Sequence, residues 1–389
     1  MDRNEVLAGA HRVVIKLGTA VLMKEEGGIA LSRFYSFIEG IAGLLKDGKE
    51  VLLVTSGAVG LGVQKLGLPK KPKLLPLKQA CAAVGQGRLM ALYSDAFQGL
   101  DIVTAQILLT EDDFSNRAKY LNLRSTISEL MRLKVLPIIN ENDTVSTAEI
   151  EPGHDNEFLK VNFGDNDKLS ALVASKADAD LLVILTDVDG LYTDDPRKGD
   201  TAKLIPLVTA ITPEIEKLAQ DAAAPGKMGR GGMKTKLEAA KTATQSGCAV
   251  IIAGGKTPDV IPKLFSGAEI GTLFLPQAGL TGKKRWIGFA TTVKAALVVN
   301  DGAKTALKNG KASLLPAGIV KVHGQFERGD VIGIIDPLGV EFARGIANYS
   351  SEETKQISGQ HSNAINEKIE TRNYDAIITR DNIAVLEAG

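Results

Sequence analysis

A lysine closes the first apolar run of the chain. Residues 13–17 read Val-Val-Ile-Lys-Leu, then Gly18 and Thr19, so Lys16 stands at the end of a β-branched strand before a glycine turn. Open α/β sheets bind ligands outside the carboxyl ends of their strands, and a fixed cation there suits phosphate. A lysine snorkelling from a strand end fits the same pattern. The next block, VTSGAVGLG at 54–62, runs from a strand into a Gly-rich turn that opens a helix. Backbone N–H groups at such a helix start attract anions. Its glycine order is GxxGxG, so it is not the dinucleotide fingerprint. A tight strand-to-helix turn has the same appearance.

Four later blocks carry polar chemistry. Asn140-Glu141-Asn142-Asp143 follows the apolar run 135–139 and offers groups for the ammonium and carboxylate of an amino acid, though a solvated turn accounts for its spacing too. Gly164-Asp165-Asn166-Asp167-Lys168 opens a helix. Its acids are ordinary dipole-favoured caps or, alternatively, hold catalytic lysines or a metal. LTDVDGLYTDD at 185–195 ends a buried strand in Thr186-Asp187 and starts a hairpin, a place for a nucleotide's base and ribose. Gly226 to Lys236 mixes glycines and cations and enters a helix, as a phosphate clamp or a mobile basic loop would. Two other stretches fail as phosphate loops. Gly43 to Lys49 fits GxxxxGK but has Glu50 where a Ser or Thr must bind magnesium, and Gly255-Lys256-Thr257 lacks the upstream glycine.

The elements that must position these residues alternate. Apolar runs at 13–17, 51–54, 102–108, 135–139, 181–185 and 249–253 are separated by helical patterns, including one over 31–46. Continuous apolar strands between amphipathic helices predict an open, mostly parallel sheet sandwiched by helices. Near residues 276–284 the pattern changes. Short runs at 318–322, 331–335 and 340–347, divided by Gly, Pro and Asp, predict a small β-barrel-like domain. The expected division is a catalytic domain over 1–276, a linker over 277–293, a small domain over 294–375 and an extension over 376–389.

Composition narrows the function classes. The 389 residues carry 46 Lys+Arg against 46 Asp+Glu, and residues 285–389 hold 12 of each. Neutral charge argues against a general polyanion binder, so nucleic acid is an unfavoured partner unless a local patch exists. Cys81 and Cys248 lie far apart, and the four histidines have no metal-ligand spacing. No signal peptide and no apolar run of about 18 residues is visible, so a cytoplasmic protein without membrane contact is expected.

In this order the blocks IKLGT, VTSGAVGLG, NENDTVSTAEI, FGDNDKLSA, LTDVDGLYTDDPR and GGMKTKLEAA resemble the glutamate 5-kinases of the amino-acid kinase family, from residue 12 to the end. The tail resembles the PUA domain appended to many of them, with GQFERGD at 324–330 and His361-Ser362 at the matching turns. The resemblance implies ATP- and Mg²⁺-dependent phosphorylation of the γ-carboxylate of L-glutamate, the first step toward L-proline. It implies that Lys16 and Lys236 contact ATP phosphates, that Thr186 and Asp187 contact the nucleotide, and that Arg230, Gly231, Gly232, Met233, Lys234 and Thr235 cover it. Ser56, Asn140, Asp143 and Asn166 would form the glutamate site. Asp167 would hold the two lysines, with Asp165 in support. Magnesium would be carried by ATP and not by a protein site.

L-Proline is the implied feedback inhibitor, a homo-oligomer (dimer or tetramer) the implied assembly, and channelling to glutamate-5-semialdehyde dehydrogenase an implied partnership. Arg230 stands where the family more often has Thr. The connection 151–163, with His154, Asp155, Asn156 and Glu157, is longer than in the family, as a lid, a proline-responsive region or a surface insertion. The alternatives are another amino-acid kinase acting on aspartate or N-acetylglutamate, and RNA binding through the tail. The first strand reads KLGT, against the KFGGT of aspartate kinases.

Overall fold

A computed structural model describes residues 2–24, 27–70, 72–110, 112–115, 117–146, 166–194, 201–221, 232–277, 287–288, 293, 295–309, 312–360 and 376–386. They form two compact units, one reaching residue 277 and the other beginning at residue 287.

The first unit is built on an eight-stranded sheet. Its strands are β1 (Arg12–Leu17), β2 (Glu50–Val54), β3 (Thr104–Leu109), β4 (Leu136–Glu141), β5 (Leu181–Thr186), β6 (Leu207–Val208), β7 (Ala249–Gly254) and β8 (Thr272–Phe274). Their order across the sheet is β3-β4-β2-β1-β5-β7-β8-β6, parallel except where β7 meets β8. The helices are α1 (Arg3–Gly9), α2 (Thr19–Leu22), α3 (Leu31–Lys46), α4 (Ala58–Lys65), α5 (Leu75–Gln98), α6 (Asp112–Ser115), α7 (Arg117–Arg132), α8 (Asn166–Lys176), α9 (Pro213–Asp221), α10 (Met233–Gln245) and α11 (Val260–Phe265). β5 and β7 are buried at every position, which is why they read as unbroken apolar runs. The stripe Phe34, Phe37, Ile38, Ile41, Leu44 turns one face of α3 onto the core that Ile15, Leu53 and Val183 share. α8 is buried from Leu169 to Lys176, so helical periodicity could not mark it.

The expected helix over 31–46 and strand over 331–335 coincide with the structure. Two boundaries move. β4 continues through Asn140 and Glu141, so these two belong to the strand and not to a turn after it. β3 spans Thr104–Leu109, later than the expected 102–108. Asp113 accepts from the Thr110 backbone N–H at 2.7 Å and from the Thr110 hydroxyl at 2.8 Å, so one arm of a capping box forms beside the four-residue α6. The longest helix, α5, goes unread in the sequence. Its buried face runs through Cys81, Gly85, Gln86, Leu89, Tyr93 and Phe97, where glycine and glutamine interrupt the apolar pattern.

β1 is the switch strand. It pairs with β2 on one side and β5 on the other, setting Lys16 opposite Val54 and Ile184. The chain builds outward from β2 first and returns to continue from β5, so the carboxyl end of β1 faces the crevice where such sheets take ligands.

The second unit has its own core. β9 (Ala296–Val299), β10 (Ile319–His323), β11 (Val331–Ile335), β12 (Glu341–Ile346) and β13 (Ile383–Val385) form a sheet of order β10-β9-β11-β12-β13. Leu297, Ile332, Ile334, Phe342 and Tyr349 fill it. Register shifts at 319/321 and 334/335 bend the sheet. Asp336 fixes the turn between β11 and β12. Its carboxylate accepts from Leu338 N, Val340 N and, at 2.7 Å, Lys304 Nζ. The Lys304 bond is the chief reason its pKa lies below the ordinary value.

Candidate active site

Two lysines far apart in the sequence meet on one carboxylate. Lys16 Nζ lies 2.5 Å from Asp167 Oδ1, and Lys236 Nζ lies 3.1 Å from Asp167 Oδ2. Lys16 comes from the end of β1, Asp167 from the first turn of α8, and Lys236 from the first turn of α10. All three are buried, with Asp167 0% exposed. Two ammonium groups held side by side on one carboxylate suit an anionic ligand. Thr235 adds a hydroxyl 3.4 Å from Asp167 Oδ2 and also donates to Gly232 O at 2.9 Å, tying the start of α10 to its cap.

Asn166, the residue before Asp167, joins a second group. Its Nδ2 donates to Thr55 O at 2.5 Å, to Ser56 Oγ at 2.8 Å and to Asn140 Oδ1 at 2.9 Å. Thr55 and Ser56 follow β2, and Asn140 lies in β4, which pairs with β2. Gly57 holds φ +105 and caps α4, a conformation open to glycine, so Ser56 is left at the turn with its hydroxyl in the cluster. Asn140 Nδ2 donates to Gln86 Oε1 at 2.8 Å, and the Thr55 hydroxyl lies 2.8 Å from the Tyr93 hydroxyl. Burial pushes the Tyr93 phenol above its ordinary value near 10, with the Thr55 hydrogen bond opposing.

Gln86 and Tyr93, which carry no motif, both come from α5. Two glycines bring that helix in. A Cβ at Gly62 would sit 1.8 Å from Cys81 O, and one at Gly85 would sit 1.7 Å from Ala58 O. The backbones of α4 and α5 therefore touch. The legible signal was a pair of glycines inside helical stretches, one of them directly before a glutamine.

The remaining residues singled out in the sequence sit as follows. Thr186 is buried at the end of β5 and donates to Asp187 Oδ1 at 3.0 Å, while Asp187 is exposed. Asp143 is half-buried in the turn after β4. Gly232 caps α10, Met233 is half-buried, and Lys234 is exposed on α10, 3.9 Å from Glu238. An antiparallel bridge of Tyr192 to Leu204 forms where a hairpin was expected after Asp187. Asp165, Arg230, Gly231 and the connection 151–163 lie outside the described residues.

A family model described as the amino acid kinase family matches residues 11–254, and one described as the PUA domain matches residues 295–369. Over 380 residues the chain is 46% identical to a glutamate 5-kinase of Caldanaerobacter subterraneus subsp. tengcongensis, covering 97% of this chain and 98% of that one. It is 46% identical over 394 residues to a glutamate 5-kinase of Methanosarcina barkeri, covering 99% of each. A solved carbamate kinase from Giardia lamblia bound to AMP-PNP aligns with a TM-score of 0.47 at 21% identity, over 69% of this chain and 99% of that one. The chain belongs to the amino acid kinase family and, within it, to the glutamate 5-kinases.

Proposed function

We propose that the chain transfers the γ-phosphoryl group of ATP to the side-chain carboxylate of L-glutamate, giving L-glutamyl 5-phosphate and ADP on the route to L-proline. One observation carries the assignment of residues. Asn166 and Asp167 are consecutive at the start of α8, so a pocket of hydroxyl and amide groups abuts a buried cage of two ammonium groups.

Phosphoryl transfer is mainly positioning and stabilisation of charge on the group in flight. Lys16 and Lys236 hold the phosphates, and Asp167 keeps both ammonium groups in place before the substrates arrive. Ser56, Asn140, Asp143 and Asn166 hold glutamate. A carboxylate nucleophile is already ionised at neutral pH, so the reaction needs no general base. Thr186, Asp187 and residues 230–235 border the nucleotide. Among the described residues no group of three or more His, Cys, Asp or Glu side chains could hold a metal, and both Asp167 oxygens are engaged by ammonium groups. In this reading Mg²⁺ is borne by ATP oxygens, where the ion would offset triphosphate charge. Proline inhibition, a homo-oligomeric assembly, channelling to the next enzyme and a cytoplasmic location belong to the same reading. Among the described residues no helix is long and apolar enough to cross a membrane.

A coupled ADP-release assay with Mg²⁺ and graded proline tests the reading. Glutamate-dependent turnover, absent with aspartate or N-acetylglutamate, is expected. Turnover with either of those in place of glutamate would overturn it.

A further inference from the structure

Gln86 ends a hydrogen-bond relay whose direction is set by one backbone carbonyl. Thr55 O can only accept, so the Asn166 group 2.5 Å from it is the amide nitrogen. The same nitrogen faces Asn140 Oδ1 at 2.9 Å, which turns Asn140 Nδ2 toward Gln86. Gln86 must therefore offer Oε1 to Asn140 and turn its own Nε2 away. Rotating any single amide would set donor against donor or acceptor against acceptor. Rotating all three would press Asn166 Oδ1 against the Thr55 carbonyl.

The last group of the relay is Gln86 Nε2. Gln86 is 9% exposed, and this nitrogen makes no hydrogen bond among the described residues. Buried donors left unmade are costly and rare, so this one marks a partner that arrives with the ligand. Gln86 cannot withdraw, because the preceding residue, Gly85, holds α5 against the backbone of α4. The partner must be an acceptor, and the acceptor-rich groups of an acidic amino acid are its carboxylates.

We propose that Gln86 is a binding residue of the acceptor subsite, with its Nε2 donating to a carboxylate oxygen of the bound amino acid. The proposal rests on the reading of this pocket as the glutamate site. Its test uses the full chain. Gln86→Leu keeps most of the side-chain volume and removes both the acceptor and the donor. The KM for glutamate is expected to rise at least about tenfold, the equivalent of one good hydrogen bond to a charged group. The KM for ATP should stay put, and the melting temperature of the unliganded protein should fall only by what the lost bond to Asn140 accounts for. The same rise should persist in an Asn140→Ala background. A KM for glutamate unchanged in Gln86→Leu would overturn the proposal. A rise that vanishes in the Asn140→Ala background would also overturn it, since Gln86 would then act through Asn140 alone.

If the leucine variant does not fold, the wild-type protein supplies the measurement. The NMR resonances of the Gln86 side-chain amide should move on adding glutamate without ATP, and resonances that stay put would overturn the contact. A wild-type enzyme that binds glutamate but does not phosphorylate it would sink the functional reading and leave this contact standing or falling on the NMR result.

Discussion

Asn166 and Asp167 are neighbours in the chain and anchors of different clusters. Asn166 ties together Thr55, Ser56 and Asn140, while Asp167 receives Lys16 and Lys236. The first turn of one helix thus sets the distance between two clusters, which the proposed function reads as the acceptor pocket and the phosphate cage. The start of an α-helix also favours negative charge, which suits both ligands.

Replacing Asp167 tests this arrangement most directly. Asp167→Asn keeps the shape and removes the charge that holds two buried ammonium groups. Breaking a buried ion pair from one side costs about 3–5 kcal/mol. A lower unfolding free energy is expected, with kcat down by a factor of about 10² or more. Chemical denaturation and single-turnover kinetics would read the two effects separately. A variant with full kcat would remove Asp167 from the mechanism.

The two lysines are expected to act in the chemical step. Lys16→Ala and Lys236→Ala should each lower kcat by more than about tenfold while the variants remain folded. Lys263→Ala is the contrast, since Lys263 is exposed on α11 and outside the proposed site. Circular dichroism and steady-state kinetics on the three variants check this. Full activity in Lys16→Ala or Lys236→Ala would end that residue's role.

Much of this site could be read without coordinates. Lys16, Ser56 and Thr186 stand at the ends of apolar runs, and strand ends are where an open parallel sheet binds ligands. Asn166 and Asp167 stand at a legible helix start. What stayed hidden was α5. Its buried face mixes Gly85 and Gln86 with Leu89 and Tyr93, so the usual apolar stripe is broken. A buried glutamine looks like a surface residue in sequence, and only the contact between α4 and α5 shows why it is inside. The limits of β4 were misread for a related reason. Asn140 is buried and bonded to Asn166 and Gln86, and a polar residue at the end of an apolar run looks like the start of a turn.

Among the described residues the proposed site residues lie in the first unit, and each unit has a separate hydrophobic core. A chain ending at residue 279 is therefore expected to fold cooperatively and retain glutamate-dependent ADP release. Calorimetry and the coupled assay would test this. A truncated protein that folds and binds ATP but does not turn over would assign the second unit a part in catalysis.

Tyr93 predicts an alkaline dependence of stability. Burial raises its pKa in the folded state, so the folded protein keeps a proton that the unfolded chain releases near pH 10. Below pH 10 both states are protonated and the residue contributes its full share. As pH rises from about 10 toward the native value, the unfolded state gains and stability falls. Tyr93→Phe should lose about 1 kcal/mol at neutral pH, because the Thr55 hydroxyl loses its 2.8 Å bond and keeps only the longer one to Ser56 O. Its stability should then decline less than that of the wild type above pH 10. Urea denaturation at pH 7 and pH 10.5 would test the difference, and parallel declines would contradict it.

Two glycines in α5 carry opposite expectations. Gly87 is exposed, and a Cβ there would meet nothing within 4 Å. Gly87→Ala should stabilise the protein by about 0.5–1 kcal/mol, since alanine loses less backbone entropy in a helix. At Gly85 the added carbon would fall 1.7 Å from Ala58 O and 2.6 Å from Gly62 N, both of them backbone atoms that cannot step aside. Gly85→Ala must therefore push α5 off α4, and with it Gln86 from Asn140 and Tyr93 from Thr55. Misfolding, or a large drop in melting temperature with loss of glutamate binding in any folded fraction, is expected. Thermal melts of the two variants side by side supply the test. If Gly85→Ala melted like Gly87→Ala and bound glutamate normally, the contact between the helix backbones would not be what holds Gln86 and Tyr93 at the site.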